Sequence, residues 1–205
     1  MPAVGSDVHY LKTGMELSGY RELIEGVGIA GRFFAGQLWP KGGSRRQDDP
    51  VIENRFDQIR YYTGGSTDVR GWALQLAGPK LARPDVSSSD TLFVYEAIGG
   101  LAKLTGMVEL RLPFPGLGPE WGTAVFLDGG RISERNFSSG TFRLGTGAGI
   151  RYATPVGLIR FDVAYKLNPD DADLRTAKAY YRMGTNADEH WSRRFSFHLS
   201  IGQSF

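Results

Sequence analysis

Thr141-Phe142-Arg143-Leu144-Gly145-Thr146-Gly147-Ala148-Gly149-Ile150-Arg151-Tyr152 is the stretch on which the fold turns. Phe142, Leu144, Ala148, Ile150 and Tyr152 alternate with Arg143, Gly145, Gly147, Gly149 and Arg151. A period of two belongs to a β-strand, here with one apolar face and one that is charged or bare. The pattern recurs outward in both directions. Ile159, Phe161, Val163 and Tyr165 alternate with Arg160, Asp162 and Ala164. Leu104 to Leu112 sets Val108, Leu110 and Leu112 against Thr105, Met107, Glu109 and Arg111, and Thr123 to Asp128 sets Val125 and Leu127 against Ala124, Phe126 and Asp128. His9 to Tyr20 and Leu23 to Phe34 read as two strands joined by a turn at Arg21-Glu22, the second with Val27, Ile29 and Phe33 opposite Gly26, Gly28, Ala30 and Arg32. The last, Arg194 to Phe205, places Phe195, Phe197, Leu199, Ile201 and Phe205 opposite Ser196, His198, Ser200, Gly202 and Ser204. Seven strands result.

One face of every strand is apolar and the other carries Arg, Glu, Asp, His or Gly. That is the signature of a transmembrane β-barrel with lipid outside and a watery lumen inside. Each strand alone also fits a soluble β-sandwich with its apolar face inward. The connections separate the two readings, because short turns (Arg21-Glu22, Pro113 to Trp121, Thr154 to Gly157) alternate with longer loops (37 to 99, Arg131 to Gly140, Asn168 to Arg193). Outer-membrane barrels keep short turns on one side of the bilayer and long loops on the other. The expected fold is therefore an all-β, antiparallel transmembrane β-barrel, with residues 37 to 99 as one long loop. A passive porin-like barrel and a soluble β-sandwich binding module remain the alternatives.

Composition agrees. The 205 residues include 28 Gly, 12 Phe, 9 Tyr and 4 Trp, which suits strands, tight turns and aromatic girdles. A formal net charge of +2 gives no reason to expect a nucleic-acid partner, and the absence of cysteine removes thiol catalysis, disulfides and Cys-based zinc sites. No apolar run reaches the roughly 18 residues of a membrane-spanning helix. The segment Met1 to Asp7 has neither the basic nor the apolar region of a secretory signal. His9, His190 and His198 show no metal or catalytic spacing, and Gly145-Thr146-Gly147-Ala148-Gly149 lacks the dinucleotide fingerprint and reads as relief of crowding on the polar face. Asp170, Asp171 and Asp173 lack EF-hand spacing and read as a solvated loop, with a short helix over Ala172 to Tyr181. No catalytic constellation, metal site or cofactor is expected, and the protein is not expected to be an enzyme.

Within the long loop, Gly64-Gly65-Ser66-Thr67-Asp68-Val69-Arg70-Gly71-Trp72 packs three glycines, an arginine and a tryptophan into nine residues. Glycines at 64, 65 and 71 let such a loop fold back on itself and present Arg70 at a fixed place. Tyr62-Thr63-Gly64-Gly65-Ser66 with Val69-Arg70-Gly71-Trp72 resembles the signature of the Omp85 superfamily, the outer-membrane protein assembly factors also called bacterial surface antigen D15 proteins. Glu109 to Pro113, Phe126 to Gly130, Gly147 to Tyr152 with Thr154 to Gly157, and Ile201 to Phe205 resemble the family in the same order.

The resemblance implies a sixteen-stranded barrel of which this chain, residues 1–205, supplies the C-terminal seven strands, with neither the POTRA domains nor the first nine strands present. It implies that Arg70 lies in the lumen and meets Glu109 and Asp128, which strand parity separately places on the polar face. Phe197, Leu199, Ile201 and Phe205 then resemble a C-terminal barrel signal. The implied location is the bacterial outer membrane. The implied partners are outer-membrane lipid, client outer-membrane proteins, the remaining strands of the same full-length chain, and lipoprotein or periplasmic accessory proteins.

Overall fold

Alternating residues can bury one face only if the strands pair side by side, and in the computed structural model they do. It describes residues 9–42, 57–85, 92–175, 181–182 and 191–202. The main sheet comprises β1 (Tyr10–Ile24), β2 (Val27–Pro40), β5 (Ala102–Pro113), β6 (Trp121–Ser133), β7 (Arg143–Thr154), β8 (Gly157–Lys166) and β10 (Phe195–Ile201). These seven strands are antiparallel and neighbours in that order. The sheet does not close: β1 and β10 are its two edges, and β1 is exposed along its whole length.

Parity holds through the sheet. Thr105, Met107, Glu109, Ala124, Phe126, Asp128, Arg151, Arg160 and Asp162 are buried on the inner face, which the loop after β2 covers. Val108, Val125, Leu127, Ile150, Phe161 and Phe197 are exposed on the outer face. An outer face this apolar suits lipid rather than water. Trp121 and Tyr152 pack against each other outside near the short-turn end, with centroids 4.5 Å apart and the rings tilted by 38°. Trp39 and Phe142 are exposed toward the long-loop end. Among the described residues no helix is long and apolar enough to cross a membrane, which leaves crossing by strands untouched.

Three expectations need correction. The first turn lies at Glu25-Gly26, not Arg21-Glu22: Gly26 takes φ +75°, its amide donates to the Glu22 carboxylate at 3.1 Å, and Arg21 pairs with Ile29 inside the ladder. Residues 37 to 99 are not one structureless loop. β2 continues to Pro40 because Leu38 packs with Tyr61, Leu101 and Ile132. Beyond it, β3 (Lys80–Asp85) and β4 (Leu92–Ala97) pair, and β9 (Tyr181–Arg182) joins them in a second sheet. These strands are short, Pro84 interrupts their pattern, and the third is distant in sequence, so local periodicity carried no sign of them; proline is tolerated because β3 is an edge strand. Finally, β10 ends at Ile201, where Gly202 turns at φ +100°, and Phe205 lies outside the described residues.

Candidate functional site

The loop motif owes its shape to its own backbone. Gly65 donates to the Trp72 carbonyl at 3.0 Å and Ala77 to the Thr63 carbonyl at 2.9 Å, which closes residues 63 to 77 on themselves. Gly64 and Gly65 sit at φ +113° and +105°, and a Cβ on Gly64 would stand 2.5 Å from the Ala73 carbonyl oxygen. Only glycine fits there. Val69, Trp72 and Ala77 form a small buried cluster beneath, so the motif carries its own core.

The loop seats on a lane of β7 that has no side chains. Gly145, Gly147 and Gly149 fall on the inner face, and a Cβ on Gly145 would meet the Gly71 nitrogen at 3.1 Å. The glycine run thus lets the backbones of loop and strand touch, a more specific use than relief of crowding. Arg70 is thereby laid over the Phe126 ring, with its guanidinium carbon 3.4 Å from the centroid.

Arg70 is 1% exposed. Its Nε and Nη2 donate to Asp128 Oδ2 and Oδ1 at 2.7 and 2.8 Å, its backbone N–H to Asp128 Oδ2 at 3.2 Å, and its Nη1 to Glu109 Oε2 at 2.7 Å. The pairing with Asp128 is bidentate, the geometry that the planar guanidinium supplies and lysine does not. Burial alone would lower the Arg70 pKa; the hydrogen bonds and charge of Asp128, then of Glu109, outweigh it and hold the pKa above the ordinary arginine value.

Around this pair lies a second layer that sequence reading left unassigned. Glu109 also accepts from Arg111 Nε at 3.0 Å and Arg151 Nη2 at 3.1 Å. Arg151 Nη1 bonds Asp162 Oδ1 at 2.5 Å, and Asp162 Oδ2 lies 3.6 Å from Arg70 Nη1. Arg160, directly across from Arg151 in the ladder, donates to Ser200 Oγ at 3.0 Å. Parity had put these residues on the inner face; their pairing depended on which strands became neighbours.

Two further contacts fix the loop at its flanks. Asp68 accepts from Thr63 Oγ1 at 2.8 Å and Lys103 Nζ at 2.6 Å, and Lys103 also donates to the Tyr62 carbonyl at 3.0 Å. On the other side Ser196 Oγ donates to the Gly71 carbonyl at 2.8 Å and His198 Nε2 bonds the Arg70 carbonyl. His198 is thus a loop contact, and among the described residues no group of three or more His, Asp or Glu could hold an ion.

The remaining expected sites lie elsewhere. Phe197, Leu199 and Ile201 are exposed on the outer face of β10, away from Arg70. The acidic loop is not solvated throughout. Asp173, at the start of α1 (Asp171–Arg175), is buried and pairs with Lys80 and with Arg143 Nε at 3.2 Å. Asp170 pairs with Arg143 as well; burial would raise its pKa, but the Asp173 amide and the Arg143 guanidinium outweigh that and lower it.

The site is built of guanidinium–carboxylate pairs, with Arg70 fully engaged by Asp128 and Glu109. Its chemistry is that of a fastening. The Omp85 superfamily domain matches residues 1–205 of this chain. The chain is 32% identical over 143 residues to "Sorting and assembly machinery component 50 homolog" of Bos taurus and 31% to that of Homo sapiens, an alignment covering 66% of this chain and 26% of either relative. It spans about a quarter of the length of those curated relatives. In fold it is similar to the crystal structure of BamA from Haemophilus ducreyi lacking POTRA domains 1–3, with a TM-score of 0.66, 20% identity, and coverage of 97% of this chain and 36% of that one.

Proposed function

The chain belongs to the Omp85 superfamily of outer-membrane β-barrels, and on that premise we propose that it forms the C-terminal wall of a barrel that assembles or inserts client outer-membrane proteins. The observation that carries this reading is the buried Arg70–Asp128–Glu109 clamp, which ties a folded-back loop to β5 and β6 and, through Arg151 and Asp162, to β7 and β8. Four strands held by one loop make a rigid wall. Next to it β10 pairs with β8 and is, among the described residues, an edge of the sheet. A client strand would be accepted at such an edge by β-augmentation. The work is strand pairing, with no bond made or broken, so the activity is non-enzymatic.

In this reading the remaining strands belong to the same full-length chain and close the barrel, because an open edge in lipid leaves backbone groups unsatisfied. Glu109, Asp128 and the motif Gly64, Gly65, Val69, Arg70, Gly71 and Trp72 act as the clamp, and Phe197, Leu199 and Ile201 meet lipid or the assembly machinery. We assign the protein to a bacterial outer membrane, with lipoprotein or periplasmic accessory partners. The test uses full-length protein in phospholipid vesicles, wild type and Arg70→Ala, with insertion of an unfolded barrel client followed by protease protection. Insertion is expected to fall sharply in the variant. Unchanged insertion by an Arg70→Ala protein that still folds would overturn the clamp's role, and no insertion by the wild type would overturn the function itself.

A further inference from the structure

The outer face carries a depression that the lumen clamp does not explain. Along one ladder row Phe33, Gly106, Gly129 and Leu144 are successive partners on β2, β5, β6 and β7, and along the next row Gly31 faces Val108, which faces Leu127. Gly31 and Gly106 form a floor with almost no side chains, while Phe142 and Leu144 cover Gly129, where a Cβ would meet Phe142 Cε1 at 2.6 Å. Phe33, Leu127 and Leu144 stand around it, and the cavity measures about 440 Å³. A Cβ on Gly106 would meet only Phe33 Cδ2, at 3.9 Å, so the space above this glycine is open.

No strand can enter, because β2, β5 and β6 are hydrogen-bonded on both sides throughout this region. The occupant must bring apolar side groups or chains, not backbone. Its depth is also fixed: the depression lies between the Trp121–Tyr152 pair toward the turn end and Trp39 and Phe142 toward the loop end, the level at which a barrel meets hydrocarbon.

At its upper end the same face carries Arg131. It stands two residues beyond Gly129 on β6 and opposite Leu104 on β5, about 7 Å along the strand toward the long loops. Its Nη2 donates to the Phe137 carbonyl, its Nε is buried without a hydrogen-bond partner, and no carboxylate pairs with it among the described residues. A guanidinium at that height, above an apolar trough, complements a phosphate with a hydrocarbon chain beneath it.

We propose that this trough is a phospholipid site: one acyl chain lies across Gly31 and Gly106, and the phosphodiester is held by Arg131. The site rests on the outer face being lipid-facing and is independent of client assembly. A bound chain fills a gap that annular lipid would otherwise cross loosely, and places an ordered lipid beside the wall formed by β2, β5, β6 and β7.

The test uses the full-length protein in nanodiscs of phosphatidylglycerol containing a trace of the same lipid with a diazirine midway along one acyl chain. After illumination, cross-linked peptides are mapped by mass spectrometry, and the lipid retained on the detergent-extracted protein is counted by native mass spectrometry. Wild-type protein is expected to concentrate labelling on Phe33, Leu127 and Leu144 over Ile150, Ile159 and Phe161 of the same outer face. Gly106→Leu should fill the trough and abolish the enrichment, and Arg131→Gln should reduce retained lipid about tenfold. Heat-modifiable mobility reports whether each variant has folded; if Gly106→Leu does not fold, the wild-type labelling pattern and Arg131→Gln still decide. Uniform labelling of the outer face, or enrichment and retention that survive Arg131→Gln unchanged, would overturn the proposal.

Discussion

Replacing Arg70 with alanine strands Asp128 rather than Glu109. Glu109 keeps Arg111 and Arg151 at 3.0 and 3.1 Å, whereas Asp128, fully buried, has no side-chain partner other than Arg70 among the described residues. Removing one member of a buried pair costs about 3 to 5 kcal/mol, because the surviving charge is left uncompensated. Water entering the space vacated by the guanidinium can solvate Asp128 in part, which places the expected cost at about 3 kcal/mol, or roughly a hundredfold in the folding equilibrium. The assay is urea unfolding of the full-length barrel in vesicles, read by heat-modifiable mobility. Arg70→Ala combined with Asp128→Ala should cost less than the sum of the two single changes, by about 1 to 3 kcal/mol, since the second substitution removes the stranded charge. A loss below about 1 kcal/mol for Arg70→Ala, or additivity within roughly 0.5 kcal/mol, would refute the view that this contact fastens the loop.

Gly145→Val drives a Cβ to 3.1 Å from the Gly71 nitrogen and should lift the loop off β7, costing about 1 to 3 kcal/mol in the same unfolding assay, while Gly106→Val, with open space around it, should cost less than about 0.5 kcal/mol. Lys103→Met removes the ammonium from Asp68 and from the Tyr62 carbonyl; Thr63 still serves Asp68, so a smaller loss of about 1 to 2 kcal/mol is expected, together with faster protease nicking of the loop around Ser66. The lowered pKa of Asp170 fixes the sign of a pH effect: its contact with Arg143 contributes fully above the ordinary carboxyl pKa of about 4 and is lost as the pH falls through the lower folded value. A spin label at Ala172 should therefore stay immobile from neutral pH down to about pH 4 and loosen only below it, whereas loosening centred near pH 6 would contradict the assignment.

Much of the wall is legible in the sequence. The alternation of Phe142 to Tyr152, and of its six companions, fixed which residues face outward, because a strand's side chains change sides at every residue and a one-residue slip would invert both faces. The same parity put Glu109, Asp128, Arg151, Arg160 and Asp162 on one surface. The motif around Arg70 announced a shaped loop through its glycines, since positive φ at Gly64 and Gly65 is a local property.

What the chain could not disclose by itself was adjacency. Arg151 meets Glu109 only because β6 intervenes between β5 and β7 in a particular register, and Asp162 meets Arg151 only through the β7–β8 ladder. The pairing of β4 with β9, the seat of Gly71 on Gly145, and the contact of His198 with the Arg70 carbonyl join residues far apart in sequence, where no period or turn signal reaches. The first turn was misplaced for the opposite reason: the polar pair Arg21-Glu22 looked like a break, yet β1 and β2 gain ladder bonds through it and reverse only where Gly26 tolerates positive φ. Sequence therefore determined the faces, which follow from the geometry of each strand alone. Tertiary structure decided the partners, which follow from how the strands line up.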